Sequence, residues 1–385
     1  MIYMDNAATS WPKPDSVYTN VLKTMKRYGA NPGRSSHTMA VEAANILLYG
    51  REMLCQLFNV TDPFRMIFTY NTTDSLNLAI KGTLKKGDHV ITTSMEHNSV
   101  IRPLMHLAEM EIETTIVSAD SQGLLDPMDI EKSIRPNTRL IVTTHASNVT
   151  GSLMPIEEIG KIARNYGIYY LLDAAQTAGC LPIDLGKLPV DLVAMPGHKG
   201  LLGPQGTGVL YIREGVDLKQ IREGGTGSQS ESIYQPDFLP DRYESGTLNT
   251  PGIAGLGAGI EYILNKGQHK IMAHITNLEK LFVNAFSQME GVKIYGPTNI
   301  KLRTGIISIN IWDRDSREIV NILSQKYNIA TRGSLHCSPL AHSTIGTKEQ
   351  GTVRFSPGIY TTLEEVKACI KAVGEISRKI KIRSI

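Results

Sequence analysis

The segment "DLVAMPGHKGLLGPQGTGVLYI" (residues 191–212) joins two short apolar runs through a glycine-rich stretch that carries one lysine, Lys199. A structural lysine usually lies on a solvated surface among other charges, whereas Lys199 stands between Gly197 and Gly200 and directly after His198. A lysine amine attacks a carbonyl group only if it can be reached and is unprotonated part of the time. The pattern therefore indicates a reactive lysine after a buried strand, and the alternative is an exposed lysine in a turn.

Apolar runs of strand length alternate with helical patterns on both sides of this segment. The apolar runs are residues 65–69, 89–93, 138–145, 168–175, 191–195 and 208–212. The helical patterns are residues 16–28, 39–58, 74–81, 99–110 and 156–166. This alternation predicts an α/β fold in which a mainly parallel sheet is flanked by helices, and ligands of such sheets bind beyond the carboxyl ends of the strands.

The pattern changes after Pro251. Helical patterns at residues 252–264, 271–289, 317–326 and 362–379 bracket an apolar strand pattern at residues 305–311. We predict a large domain over residues 15–250 and a smaller α+β domain formed by residues 1–14 and 251–385. Because no Ser- or Gly-rich linker separates these parts of the sequence, we expect the two domains to pack closely.

The composition is that of an ordinary globular protein. The 385 residues are 41% hydrophobic and 20% charged, and the formal net charge is only +3. We expect no nucleic-acid partner, because no basic segment carries interleaved aromatic residues, and no membrane span or signal peptide. The four cysteines are scattered without a CxxC pair, so we predict neither a disulfide framework nor a metal site. A reducing cytoplasm is the expected compartment.

Polar residues follow several of the predicted strands. Asp173 closes an apolar run, where a carboxylate is costly unless a cation meets it, and Gln176 follows three residues later. His97 follows the run at residues 89–93. Each residue has an ordinary alternative role, such as helix capping by Asp173 or a structural role for His97.

The same sheet edge carries hydroxyl residues. Thr72 and Thr73 stand between a strand pattern and a helical pattern, where N–H groups at a helix N-terminus can bind phosphate. Together with Lys199, Asp173 and the other strand-end residues, they meet the needs of pyridoxal phosphate. That cofactor requires a lysine for its aldehyde, a carboxylate for its ring nitrogen, a donor for its ring oxygen, a stacking partner and a phosphate cradle.

With these motifs the chain resembles the cysteine desulfurases of the class V aminotransferase superfamily. The resemblance extends over nearly the whole chain and rests on the combined motifs "YMDNAAT", "MEH", "SNVTG", "LDAAQ", "GHKGLLGPQGTG", "YESGTLNT", "RGSLHC" and "VRFS". It implies fold type I of the pyridoxal-phosphate-dependent transferases and a homodimer. It also implies Lys199, Cys337 and His97 as catalytic residues.

The resemblance further implies which residues bind ligands. The residues implied to bind the cofactor are Lys199, Thr72, Thr73, His97, Asn148, Asp173, Gln176, His198 and Thr247. Among these, Thr247 is implied to reach the cofactor phosphate of the neighbouring subunit. The residues implied to bind the substrate are Arg354, Asn148 and Arg332.

Cys337 determines which reaction the resemblance implies. It lies in a polar loop beside His336, whereas Cys55, Cys180 and Cys369 are interpreted as packing residues. The expected reaction converts L-cysteine to L-alanine. The amine released from the cofactor takes the Cα proton, and the Cys337 thiolate then attacks the substrate sulfur and keeps it as a persulfide. His336 is expected to help generate the thiolate, and an acceptor protein or a reductant would receive the sulfur.

Other activities stay open. A selenocysteine lyase, another β-lyase or an aminotransferase of the same superfamily would use the same cofactor. A P-loop ATPase is disfavoured because the glycine-rich segment lacks the Gly-Lys-Ser/Thr ending, and a DNA-binding regulator because no helix-turn-helix pattern precedes residue 15. Pro196 stands where many desulfurases have a phosphate-binding serine, and Asp74 replaces the usual glutamate. Arg34 and His37 receive no role.

Overall fold

The computed structural model describes residues 1–33 and 36–384, and Arg34 lies outside this part of the chain. The strands there are β1 (Ile2–Tyr3), β2 (Met66–Thr69), β3 (His89–Thr93), β4 (Glu113–Val117), β5 (Thr138–Thr144), β6 (Tyr169–Asp173), β7 (Leu192–Pro196), β8 (Gly208–Ile212), β9 (Val292–Tyr295), β10 (Ile307–Ile311), β11 (Ile329–Ala330) and β12 (Val353–Phe355). The helices are α1 (Asp15–Arg27), α2 (Thr38–Phe58), α3 (Thr72–Thr83), α4 (Asn98–Leu107), α5 (Pro127–Lys132), α6 (Ile156–Asn165), α7 (Thr250–Lys266), α8 (Gln268–Ser287), α9 (Ser316–Tyr327), α10 (Pro339–Thr344) and α11 (Leu363–Ser384). No helix in these ranges is both long enough and apolar enough to cross a membrane.

The central sheet has seven strands in the order β2-β8-β7-β6-β5-β3-β4. Only β8 runs antiparallel to its neighbours, whereas the other pairings are parallel. Successive side chains of β5 enter two different cores, Ile141 on one face and Val142 on the other. The prediction of a mainly parallel α/β sheet is confirmed. Both faces of the sheet are covered, and its strands are continuous apolar runs for that reason.

The sequence analysis did not predict strand β4, because it is not a continuous apolar run. Its first four residues are exposed or partly buried, and only Val117 is buried. Helix α3 begins earlier than the helical pattern suggested, at Thr72, because the Asn71 side chain accepts a hydrogen bond from the Asp74 amide over 2.9 Å and caps the helix. This cap places Thr72 and Thr73 in the first helical turn.

The C-terminal part of the chain forms a second, smaller layered structure. Its three-stranded antiparallel sheet has the order β12-β10-β9, and Phe282, Phe286 and Phe355 pack together in its core. The N-terminal strand β1 pairs in parallel with β11. The division into residues 15–250 and residues 1–14 plus 251–385 stays a prediction.

A long connection leads from the sheet to helix α7. Residues 213–249 contain neither a helix nor a strand, and they expose the large apolar side chains of Ile233 and Tyr234. Thr247 lies near the end of this connection and is exposed. His37 caps helix α2 by accepting a hydrogen bond from the Ala40 amide.

Candidate functional site

The carboxyl ends of the parallel strands border a cavity of about 230 Å³. Ten residues singled out from the sequence line it: Thr72, Thr73, His97, Asn148, Asp173, Gln176, His198, Lys199, Arg332 and Arg354. The chain reverses direction or begins a helix after each of these strands, so polar side chains from distant parts of the sequence meet at one sheet edge. Cys337 follows His336, which also lines the cavity, whereas Thr247 is not among the lining residues.

Lys199 lies in the turn between β7 and β8 and borders the cavity. The glycines beside it are required by close packing. A Cβ atom on Gly197 would lie 2.0 Å from Thr207 Oγ1, and one on Gly200 would lie 2.4 Å from the Ala178 carbonyl oxygen. Burial lowers the pKa of Lys199 to about 8, although the nearby Asp173 carboxylate acts in the opposite direction. The amine is therefore partly unprotonated near neutral pH, as a nucleophilic lysine requires.

The N-terminal segment holds the backbone of this turn. Ser10 donates through its hydroxyl to the Lys199 carbonyl over 2.8 Å, and the His198 carbonyl accepts from the Ser10 amide over 3.1 Å. The Lys13 ammonium donates to the same His198 carbonyl over 2.7 Å. The residues that follow the "YMDNAAT" motif therefore hold the turn that carries Lys199.

Asp173 ends strand β6 and is 3% exposed. One carboxylate oxygen accepts a hydrogen bond from the Ala175 amide over 2.9 Å, and no arginine or lysine in the described ranges forms a salt bridge with it. Burial raises the pKa of Asp173 to about 6, against the effects of the Ala175 amide and of Lys199. The carboxylate is thus ionised at neutral pH and faces a cavity that can hold a cation.

His97 caps helix α4 with its side chain. Its Nδ1 atom accepts from the Ser99 amide over 3.0 Å, which places the ring proton on Nε2. Burial lowers the pKa of His97 to about 4, with Lys199 as the next cause. His97 is therefore a neutral, flat and fixed ring in the cavity wall, which suits stacking on another ring.

Glu96, next to His97, was missed by the sequence analysis. It is fully buried, and its Oε1 accepts from the Thr93 hydroxyl over 2.6 Å and from the Thr144 amide over 3.0 Å. Burial raises the pKa of Glu96 to about 8, and the charge of Asp173 adds to this shift. A neutral Glu96 ties the end of β3 to the end of β5. The "MEH" motif contains Glu96, but no local pattern shows that its side chain turns into the protein.

The start of helix α3 brings hydrogen-bond donors to the cavity. The Thr72 hydroxyl is buried and has no hydrogen-bond partner among the described residues, and it lies in the first turn of α3, where backbone N–H groups are unpaired within the helix. The Thr73 hydroxyl contacts Ser99 Oγ over 2.7 Å, and His198 Nδ1 lies 3.1 Å from Thr9 Oγ1. Pro196 occupies the last position of β7 and offers no hydroxyl. An anion is the ligand that such an end favours.

Arg354 on strand β12 is 1% exposed. Its Nη1 donates to the Asn148 carbonyl over 3.0 Å, and its Nη2 donates to Asp5 Oδ1 over 2.9 Å. The Nε atom is buried and has no hydrogen-bond partner in residues 1–33 and 36–384. Burial lowers the pKa of Arg354, and Asp5 counteracts that shift. The free donor suits a carboxylate ligand, and the contribution of Asp5 was missed because it depends on contact between the two ends of the chain.

Cys337 is exposed beside the cavity. Arg332 Nη2 lies 3.4 Å from its Sγ atom. The expectation that His336 helps to generate the thiolate does not fit this geometry. The Nε2 atom of His336 faces Thr352, and burial lowers the pKa of His336 well below its ordinary value. Arg332 is the cationic group that contacts the sulfur.

The remaining cysteines lie in less accessible positions. Cys55 and Cys369 are buried, and burial raises the pKa of both thiols, to about 11 and about 12. Cys180 lines a separate cavity of about 60 Å³ that also borders Lys199, and burial raises the pKa of its thiol to about 11. Cys337 is therefore the cysteine best placed to react with a ligand in the larger cavity.

Residues 2–369 match the family model described as aminotransferase class-V. The chain is 35% identical to a probable cysteine desulfurase of Methanothermobacter thermautotrophicus, over 98% of this chain and 94% of the relative. It is 30% identical to the cysteine desulfurase IscS of Dictyoglomus turgidum, over 99% of this chain and 95% of the relative. The apo structure of a cysteine desulfurase from Thermococcus onnurineus is similar with a TM-score of 0.93 and 33% identity, over 98% of this chain and 95% of that one.

Proposed function

This chain belongs to the cysteine desulfurases of the class-V aminotransferase family, and from that premise we propose that it converts L-cysteine to L-alanine and receives the sulfur on Cys337. In the overall change a Cβ–S bond and an S–H bond break, while a C–H bond and an S–S bond form. The observation that carries the proposal is that Lys199, Asp173 and Arg354 line one cavity, and that the exposed Cys337 thiol lies beside it.

The donor set of the cavity fits pyridoxal phosphate, the cofactor used by this family. The ionised and unpaired Asp173 suits the ring nitrogen, Gln176 the ring hydroxyl and the neutral His97 ring a stacking position. The unpartnered Thr72 hydroxyl and the start of α3 suit the phosphate. When bound, the cofactor supplies an aldehyde for Lys199 and a conjugated ring that accepts the electrons left behind when a proton leaves Cα.

We also assign Thr73, His198 and Asn148 to the cofactor that is bound by the same subunit. The histidine ring borders the cavity on the Thr9 side, and Thr73 lies beside Ser99. Pro196 provides no hydroxyl at the end of β7, so the α3 N-terminus carries more of the phosphate contact. Thr247 is exposed and donates no bond within this cavity, which agrees with an assignment to the cofactor phosphate of a second copy in a homodimer.

Lys199 acts as the general base for the Cα proton. Its pKa near 8 leaves the amine a proton acceptor at slightly alkaline pH, and the nearby Asp173 carboxylate stabilises positive charge in the cavity. Arg354 binds the substrate carboxylate through its free Nε donor. The Asp5 carboxylate fixes the other edge of the guanidinium, so the substrate has one orientation relative to Lys199.

Cys337 acts as the sulfur acceptor. A thiolate is the nucleophile in sulfur transfer, and the Arg332 guanidinium lies 3.4 Å from the Cys337 sulfur. Exposure of Cys337 leaves room for an acceptor protein or a small thiol to remove the bound sulfur. We assign such a downstream sulfur acceptor and a cytoplasmic setting as part of the proposal.

The proposal is tested with purified holoenzyme. Borohydride should bleach its yellow colour and add the mass of the reduced cofactor to Lys199, and Lys199→Ala should abolish turnover of cysteine. Cys337→Ala should keep the colour and lose persulfide and alanine formation, whereas Cys55→Ala serves as the control cysteine. If Cys337→Ala desulfurises cysteine as fast as the wild type, the role of Cys337 is wrong.

Activity on cysteine and on selenocysteine distinguishes a cysteine desulfurase from a selenocysteine lyase. Selenium leaves carbon more easily than sulfur, so a lyase would release selenide from selenocysteine without Cys337. A Cys337→Ala variant that retains full activity on selenocysteine, in an enzyme whose wild type prefers that substrate, would identify the lyase. Preference of the wild type for cysteine supports the desulfurase.

A further inference from the structure

The turn that carries Cys337 has an unusual backbone. His336 and Cys337 have φ angles of 49° and 62°, and Ser334 nearby has a φ of 76°. Residues other than glycine rarely adopt this left-handed region, and two in succession are unfavourable unless neighbouring groups hold them. In this turn the Cys337 side chain is exposed, and its Sγ atom lies 3.4 Å from Arg332 Nη2. Something in the surrounding structure therefore maintains this turn.

Asn148 contacts both sides of the cysteine. Its Nδ2 donates to the His336 carbonyl over 2.7 Å, and its Oδ1 accepts from the Ser338 hydroxyl over 2.7 Å. Asn148 is 8% exposed and Ser338 is fully buried, so water does not compete strongly for these bonds. One side-chain amide thereby bridges the residues immediately before and after Cys337.

The backbone of Asn148 is itself held by hydrogen bonding. Its own carbonyl accepts from Arg354 Nη1 over 3.0 Å, which couples the residue to the proposed carboxylate-binding arginine. On the other side of the turn, the Cys337 carbonyl accepts from the Asn98 amide over 2.8 Å. The turn is therefore anchored to the end of β5, to β12 and to the start of α4.

We propose that Asn148 and Ser338 form a clamp that holds the Cys337 turn in its left-handed conformation and so positions the sulfur acceptor next to the substrate. The inference deepens the proposed desulfurase function and rests on it. Asn148 acts here as a positioning residue for Cys337, in addition to the cofactor and substrate contacts assigned to it above. Because Arg354 also donates to the Asn148 carbonyl, the residue that binds the substrate carboxylate and the turn that carries the thiol are held by the same asparagine.

Ser338 provides the discriminating variant. Ser338 is not among the residues that line the cavity, so Ser338→Ala removes one bond of the clamp and leaves Asn148 and the other lining residues in the chain. Asn148→Ala is the second variant, which removes both bonds. Ser343→Ala is the matched control, because the Ser343 hydroxyl donates to the Pro339 carbonyl within α10 and is exposed.

Three quantities are measured on the holoenzymes. The first is single-turnover persulfide formation on Cys337 from L-cysteine. The second is exchange of the Cα hydrogen of L-alanine with deuterated solvent, which depends on Lys199 and does not need the thiol. The third is hydrogen exchange of the Asn98 amide, which reports the conformation of the turn independently of catalysis.

The clamp predicts a selective effect. In Ser338→Ala, persulfide formation should slow by about fivefold to tenfold, while alanine exchange stays within about twofold of the wild type. The Asn98 amide should exchange faster, and Ser343→Ala should match the wild type in all three measurements. Asn148→Ala should show a larger loss of persulfide formation than Ser338→Ala.

Two results would overturn the clamp. One is wild-type persulfide formation and wild-type Asn98 exchange in Ser338→Ala. The other is an equal loss of persulfide formation and alanine exchange, which would indicate general damage. Failure of the proposed function is seen separately, because the wild type itself would then form no persulfide while the Asn98 measurement still tests the turn.

Discussion

Arg332 Nη2 lies 3.4 Å from the Sγ atom of Cys337, and no acidic side chain in the described ranges forms a salt bridge with this arginine. Both residues belong to the same short segment, five positions apart, yet they meet only because the chain between them turns through the left-handed region at Ser334, His336 and Cys337. The contact sets a cation directly against the proposed sulfur acceptor.

Loss of this cation should make the thiol less reactive. Arg332→Gln removes the positive charge that lies against the sulfur but keeps a polar side chain, so negative charge on the attacking sulfur loses its nearest cation. We expect alkylation of Cys337 by iodoacetamide to slow by about threefold to tenfold. Arg314→Gln, which changes an arginine paired with Glu318 instead, is the control. Equal alkylation rates in Arg332→Gln and the wild type would show that the contact has no electrostatic effect.

Replacement of Asp173 tests the assigned ring-nitrogen partner. Asp173→Asn can keep the bond from the Ala175 amide but cannot stabilise a protonated ring nitrogen, so kcat for cysteine should fall about tenfold to hundredfold. The matched control is Asp191→Asn, because Asp191 accepts from the Tyr170 amide over 2.8 Å near the amino end of β7. A similar loss in both variants would point to damage to the sheet rather than to the site.

The raised pKa of the buried Glu96 predicts how the free energy of unfolding depends on pH. Its pKa in the folded protein is about 8, well above its ordinary value, so between pH 4.5 and 8 the unfolded chain releases a proton that the folded chain keeps. The contribution of Glu96 to the free energy of unfolding therefore falls as pH rises through this window. Glu96→Gln cannot ionise, so its stability relative to the wild type should rise between pH 5 and pH 8, by at least about 1.4 kcal/mol.

Urea unfolding of both proteins at the two pH values measures this difference. The exposed Glu52 on α2 supplies the control variant Glu52→Gln, which should show no such change. A Glu96→Gln variant whose stability differs from the wild type by the same amount at pH 5 and pH 8 would contradict a neutral Glu96.

Thr247 allows a test of whether the second copy completes the site. A heterodimer is formed from one Lys199→Ala subunit and one Thr247→Ala subunit, so that the intact Lys199 lies opposite an intact Thr247 on the partner. If Thr247 serves the neighbouring subunit, this site should bind pyridoxal phosphate with wild-type affinity, and the heterodimer should retain about half of the activity. If Thr247 served its own subunit, the affinity should equal that of the Thr247→Ala homodimer.

The sheet and most of its helices were predictable because their signals are local. Buried parallel strands are continuous apolar runs, as at residues 89–93 and 208–212, where the predicted and observed bounds coincide. Strand β4 was missed since four of its five residues are exposed or only partly buried, so it lacks such a run. Helix α5, which has only six residues, is too short to show a clear helical period.

The chemical groups of the site were also visible in the sequence, whereas several of their partners were not. Lys199, Asp173 and His97 each follow a strand, and the strand ends of a parallel sheet share one edge. Asp5 and Ser338 carry no comparable signal, because an aspartate near the N-terminus and a serine in a loop are common. Their roles follow from contacts with Arg354 and Asn148 across 349 and 190 positions of the chain.

The sequence by itself determined the fold class, which depends on residue type and on spacing along single strands and helices. The cofactor and the sulfur-accepting cysteine were predictions from the strand-end residues and from the resemblance to a known family. Only the tertiary structure decided that Arg332, and not His336, contacts the Cys337 thiol, that Glu96 is buried, and that Asn148 bridges the turn around the cysteine. Burial and the pairing of distant groups depend on how the elements pack, and no local pattern of residues specifies that packing.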